Sequence, residues 1–255
     1  MRNVDFYISS NGYLIIPKFN IKYLINLSES NIPSMPEAVE SIVEIPGKDG
    51  DITLSTNYKP IMFEIVCYTN DGLTQAEKVA AERNINMFLN SIKNKKEKMG
   101  IEKDNKFYEV KYNGALTTIN NPGFMQFNIP LKSSDSYAKD LEEKSITGDA
   151  SLISDTIKEV GAIFTIKGPA QKPKISLNNY IMFYNSSLLE NQELEINSRN
   201  STITHINNVN GKRTNAMRYY NHQFPKIENG NNELKILSGI ENPSQVSVKW
   251  NDLKL

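Results

Sequence analysis

Only one stretch of this chain carries a helical period; the remaining apolar residues come in runs short enough for strands. After Asp71-Gly72, Thr74 stands three residues before Glu77 in a capping-box pattern, and Ala81, Ile85, Phe88, Leu89 and Ile92 recur at helical spacing. The spacing predicts an amphipathic helix over residues 74–92, lying against a sheet. Just before it, Ile61-Met62-Phe63-Glu64-Ile65-Val66-Cys67-Tyr68 is almost continuously apolar but too short for a helix buried all round, so it reads as a central strand.

Around this pair the first half of the chain reads as β. Residues 4–16 alternate weakly across Asn11-Gly12, a tight-turn signal, which predicts a first hairpin. Further strands are expected at Phe107 to Tyr112 and at Phe124 to Leu131, where Met125, Phe127, Ile129 and Leu131 share one face. Between Asn20 and Gly50 the chain is punctuated by Pro33, Pro36 and Pro46, with one β-like run, Ile42 to Ile45. An extended arm over about 20–45, closed by a turn, is expected there; a surface loop is the alternative. The basic run Lys93-Asn94-Lys95-Lys96-Glu97-Lys98 follows the helix and is read as a solvated face complementing the helix dipole.

From Ser133 to about Thr156 the sequence turns polar and poor in aromatics, with no strand period, and the domain junction is placed here. Beyond it, about seven short apolar or alternating runs are separated by turn residues: Ala162 to Ile166, Ile175 to Leu177, Tyr180 to Tyr184, Glu193 to Ile196, Thr202 to Ile206, Glu233 to Leu237 and Gln245 to Trp250. The expected fold class is mainly β. An α+β domain spans residues 1–140, and an all-β domain of sandwich or jelly-roll type spans residues 141–255.

Composition narrows the function. Twenty-nine basic and 29 acidic residues give no net charge, which removes a global electrostatic case for nucleic acid or an anionic membrane. No run approaches the length of a membrane span, and the start of the chain has no signal-peptide pattern, so neither membrane insertion nor signal-directed secretion is expected. One cysteine makes no intrachain disulfide, and with two histidines a Cys/His zinc site lacks ligands. Phosphate-binding glycine motifs and the EF-hand spacing are absent, and Asp49, Asp51, Asp71 and Asp104 sit in turn-like contexts where carboxylates serve backbone donors. Cys67 reads as a buried, inert thiol and His222 as a partly exposed structural histidine. No catalytic, cofactor-binding or metal-binding residue is assigned, no cofactor is expected, and the chain is not expected to be an enzyme.

One partial motif points to sugar. His205-Ile206-Asn207 resembles the H-x-N start of a galectin sugar site, but Val209 stands where that pattern has arginine, and Trp250 is followed by Asn251-Asp252 rather than by G-x-E. Sugar recognition needs an aromatic face beside planar polar groups, and Tyr219 and Tyr220 are the nearby aromatic candidates. A carbohydrate-binding module acting through the second domain is thus the alternative function.

The larger pattern resembles the distal tail proteins of long-tailed, siphovirus-type bacteriophages and phage-tail-like particles. In the first half the likeness rests on Ile45-Pro46-Gly47-Lys48-Asp49-Gly50-Asp51-Ile52, similar to that family's PGRDG turn, followed by a strand and a Thr/Glu-capped helix. In the second it rests on Pro173 to Leu177, on Leu194-Glu195-Ile196-Asn197 followed by Asn210-Gly211, and on Phe224 to Leu234, similar to FPxLxPGxN. Lys48 replaces the arginine, Asn197 an aspartate and Asn229 the proline of those patterns. The resemblance implies a tail-tube-like, ring-forming β-domain with one helix, followed by a galectin-like β-sandwich. It also implies a homohexameric ring at the distal end of the virion tail, assembled in the bacterial host cytoplasm. The implied partners are the tail tube protein, a tail-associated tip or baseplate protein and a receptor-binding protein. Ring closure requires head-to-tail contacts, for which the arm is the candidate clasp.

Overall fold

The alternation of Leu14 and Ile16 with Tyr13 and Ile15, and of Ile21, Tyr23 and Ile25 with Lys22 and Leu24, directs one set of side chains inward and the other outward. The computed structural model describes residues 4–33, 35–44, 51–133 and 135–254. They fall into two compact units, Met1–Leu141 and Glu142–Lys254.

The first unit contains β1 (Phe6–Ile8), β2 (Tyr13–Ile16), β3 (Ile21–Ile25), β4 (Ala38–Glu44), β5 (Asp51–Tyr58), β6 (Met62–Tyr68), α1 (Gln75–Ile92), β7 (Glu97–Ile101), β8 (Lys106–Tyr112), β9 (Thr117–Asn120), β10 (Met125–Ser133) and β11 (Ala138–Asp140). Its main sheet runs β11-β8-β7-β1-β2-β3-β6-β10-β9, and β8 also pairs β10, so the order from β8 to β10 closes on itself. The expected first hairpin is present: β1 and β2 are antiparallel across a turn where Gly12 holds φ 78°, a conformation most residues adopt only under strain. Met125, Phe127, Ile129 and Leu131 are all buried along β10. Thr74 and Glu77 form the capping box, each side chain bonded to the other's backbone N–H. Ala81, Ile85, Phe88, Leu89 and Ile92 face the sheet, and the Phe88 ring meets Phe6 edge-on at 5.0 Å between centroids. Burial of each large apolar side chain on that face contributes roughly 1.5–3 kcal/mol, which outweighs the modest propensity of an isolated helix.

Two expectations for the first unit need correction. The arm over 20–45 is not continuous: its first residues, Ile21–Ile25, are β3 of the main sheet, joined to β2 and β6. Their strict alternation was the signal, obscured by the prolines downstream. The arm's far end is β4, which pairs with β5 as a separate antiparallel ribbon. Its connecting turn, Ile45 to Gly50, lies outside the described residues. The basic run after the helix is likewise split: α1 ends at Ile92, and Glu97-Lys98 opens β7, which runs parallel to β1 and antiparallel to β8. Charged residues at a strand's start hide its period.

The second unit contains β12 (Lys144–Thr147), β13 (Ala150–Ser154), β14 (Val160–Gly161), β15 (Ile163–Lys167), β16 (Ala170–Gln171), β17 (Lys174–Leu177), β18 (Tyr180–Phe183), β19 (Ser187–Leu188), β20 (Gln192–Asn197), β21 (Thr202–Asn207), β22 (Lys212–Asn215), β23 (Lys226–Ile227), β24 (Gly230–Ser238) and β25 (Val246–Trp250). Two antiparallel sheets, β12-β25-β15-β20-β21-β22 and β13-β24-β17-β18, contribute to one apolar cluster that includes Phe164, Leu177, Leu194, Val248 and Trp250. The seven expected runs are all strands. The stretch 133–156, expected to lack strands, carries β11, β12 and β13, and β22 was also unanticipated. β12 and β22 end their sheet and β13 ends the other, and a sheet-end strand meets the core along fewer contacts, so polar residues are tolerated there.

Candidate interaction surfaces

Cys67 lies fully buried near the end of β6, and burial pushes its thiol up to about 12, so the nucleophilic thiolate is suppressed. Tyr23, stacked on Phe127 at 5.6 Å, is pushed up to about 12 by burial and by Cys67. Among the described residues no group of three or more His, Cys, Asp or Glu side chains is placed to hold a metal ion. His222 is exposed on a loop with φ 60°.

The sugar candidates are used locally. His205 and Asn207 share a face of β21, but the Asn207 Oδ1 accepts the Val209 amide at 3.0 Å and so closes its own turn. Tyr220 is buried, with its hydroxyl donating to the Gln223 carbonyl. Tyr219 meets Tyr184 edge-on at 6.1 Å between centroids and carries the Arg218 guanidinium 4.4 Å from its own. Trp250 is a core residue.

A charge cluster in which only Glu97 is buried ties the entry of β1 to β7. Asp5 accepts the Lys98 amide at 2.8 Å, and Glu97 is paired with Lys95 at 2.8 Å. Burial and a hydrogen bond with Asp5 push the Glu97 carboxyl up. Burial opposes the Asp5 charge as well, but the Glu97 hydrogen bond and the Lys98 amide outweigh it and bring Asp5 down.

Two features of the first unit look made for contact. The β4–β5 ribbon exposes Val39, Ile42, Val43 and Leu54 at 40%, 52%, 43% and 65%. Its register shifts between Ser41 and Ile42, leaving Leu54 without a cross-strand partner. A two-stranded ribbon with so much apolar surface in water is only marginally stable by itself. The second feature crosses the outer face of the main sheet. The registers Tyr13 to Leu24, Leu24 to Tyr68, Tyr68 to Gln126 and Gln126 to Ile119 align five side chains in one row over β2, β3, β6, β10 and β9. Leu24 and Ile119 are nearly half exposed. Tyr68 is held in place: its hydroxyl accepts from Asn26 Nδ2 at 2.9 Å and donates to Glu29 at 3.1 Å, and Phe124 meets its ring edge-on. An open groove of about 470 Å³ lies among Tyr13, Leu24, Tyr68, Asp71, Phe124 and Gln126. The row was not singled out in the sequence, because its members lie in five separate segments.

No protein-family model matches the chain, and no curated protein matches it. Solved structures do. The Dit protein of phage SPP1, described as a paradigm of the hub adsorption apparatus in phages infecting Gram-positive bacteria, superposes with a TM-score of 0.66. The superposition covers 91% of this chain and 94% of that one, at 12% sequence identity. The chain has the Dit fold. A chain of the phage P2 baseplate in its activated conformation with Ca matches at a TM-score of 0.56 and 9% identity, over 96% and 94% of the two chains. The baseplate with Sr matches at 0.55 and 9%, over 94% and 93%. Coverage this complete places both units within the Dit fold. The resemblance read from the turn motifs and the likeness of fold agree.

One of those motifs has a visible structural cause. In Phe224 to Leu234, Gly230 takes φ 89°, and the fully buried Asn232 braces the turn. Asn232 Oδ1 accepts the Glu228 amide at 2.9 Å, while its Nδ2 donates to the Glu228 and Gly230 carbonyls at 2.9 and 3.2 Å. An amide at this position answers donor and acceptors together.

Proposed function

We propose that this protein is a structural component of a phage tail tip, a hub at the distal end of the virion tail. Six copies form a ring that joins the tail tube to the tip and its receptor-binding apparatus. The observation that carries the reading is the Dit fold along nearly the whole chain. Residues 1–140 build the ring, and residues 141–255 form a galectin-like sandwich that meets other tip proteins. The exposed ribbon supports the reading, since a ring closes only through patches that differ between the two sides of each contact. Function then lies in interfaces, with no catalytic step.

The test is the absolute mass of the purified chain by light scattering across a concentration series, alone and with tail tubes added, with negative-stain images of the products. The expected particle has six times the chain mass and a central hole. A single-chain mass under every condition, with nothing bound at tube ends, would falsify the hub.

A further inference from the structure

The ribbon and the outer-face row are two apolar surfaces of one unit, and neither has a partner over it among the described residues. We propose that the row through Tyr13, Leu24, Tyr68 and Ile119 is the seat for the β4–β5 hairpin of a second copy of this chain. The inference rests on the hub reading and names the surface that receives the clasp.

Size, charge and closure all select this occupant. The eight residues of β5 span about 26 Å at ~3.3 Å per residue, and the row crosses four strand gaps, about 19 Å at ~4.8 Å each. A ribbon laid along the row therefore covers it end to end. The ribbon face with Val39, Ser41 and Val43, and with Asn57 and Ser55 opposite, bears no charge, whereas Glu40 shares the reverse face with Ile42. None of the row's five side chains is charged, and the adjacent Lys22 is already drawn over the Tyr13 ring at 4.7 Å. Docked by its uncharged face, the ribbon buries valine against leucine and tyrosine while Glu40 stays in water; of the two carboxylates that border the row, Glu29 keeps the Tyr68 hydroxyl as its donor and Asp71 is exposed. Hairpin and row differ, so the contact is head-to-tail: each copy gives one and receives one, and the series ends only when a ring closes.

The experiment uses full-length chains carrying Val43→Cys on the hairpin or Leu24→Cys in the row, both exposed positions. The buried Cys67 does not compete for oxidation. Circular dichroism checks the fold of each variant. Mixed and oxidised, the two variants should give a disulfide between hairpin and row, and one chain carrying both cysteines should give a ladder of covalent multimers. Leu24→Arg should raise the concentration needed for assembly by roughly tenfold or more. A particle of ring mass that yields no hairpin-to-row disulfide, or only hairpin-to-hairpin ones, overturns this seat and leaves the hub standing. A chain that stays monomeric and forms no disulfide overturns both.

Discussion

The indole N–H of Trp250 donates to Asp252 Oδ1 at 3.0 Å, joining the tryptophan of one sheet to a carboxylate with no exposed surface. The same carboxylate accepts from the Ser154 hydroxyl at 2.6 Å and from Lys144 at 2.5 Å, so it links β12, β13 and the end of β25. Residues separated by about a hundred positions in the chain are thus held at one point.

Replacing Asp252 with alanine should destabilise the second unit by about 3 kcal/mol, since a buried carboxylate is lost and its donors, Trp250 and Ser154 among them, are stranded. Chemical denaturation followed by tryptophan fluorescence reads this directly, because Trp250 is the sole tryptophan.

The same site predicts acid sensitivity. Burial would raise the Asp252 pKa, but the Lys144 and Ser154 hydrogen bonds outweigh it and hold the carboxyl below its ordinary value. Stability from a lowered carboxyl is present above the unfolded pKa, about 3.9, and is lost as pH falls through the folded one. Stability should therefore decline as pH drops below about 4, and Asp252→Asn should flatten that decline. An unchanged slope in the variant would count against the network.

Alkali should act on the first unit with the opposite sign. Cys67 and Tyr23 are both raised to about 12, so their contribution is complete below the unfolded values and is lost as pH climbs toward the folded ones. The melting temperature is expected to fall above about pH 9. Native protein should resist iodoacetamide and react fully once unfolded; rapid alkylation of the native chain would contradict the burial.

Asn232→Asp is expected to cost about 3 kcal/mol, far more than its size suggests. The carboxylate would place negative oxygen against the Glu228 and Gly230 carbonyls where an amide now donates. Urea unfolding of the variant checks it, with Asn231→Asp, one residue away and exposed, as the near-neutral control.

Phe88→Ala should cost about 4 kcal/mol, because its ring fills the space between α1 and β1 and also meets Phe19 edge-on. Thr74→Ala, which removes only a cap, should cost a fraction of that. Equal losses would mean that the helix is held by its terminus rather than by its face.

Much of this is legible in the sequence. The helix, its cap and its five inward residues followed from spacing, as did β6 and the seven strands of the second unit, because those elements are buried on a regular period. Glu97–Ile101, Lys144–Thr147 and Ala150–Ser154 were hidden, since their pattern opens on charge or on a strand with one wet side. The alternation of Ile21–Ile25 is masked in the sequence by the prolines further along, which give the whole segment the look of an arm.

Local period, capping chemistry and turn residues are properties of neighbours in the chain, and the sequence by itself determined them: one helix, many strands, a β-rich class and a set of turn motifs. Which strands sit side by side is decided by contacts between residues far apart. Tertiary structure alone sets the circuit closed by β8 and β10, the ribbon left off the sheet, and the row from Tyr13 to Ile119. The physical reason is that a surface depends on register, and register is settled only when whole faces are buried together.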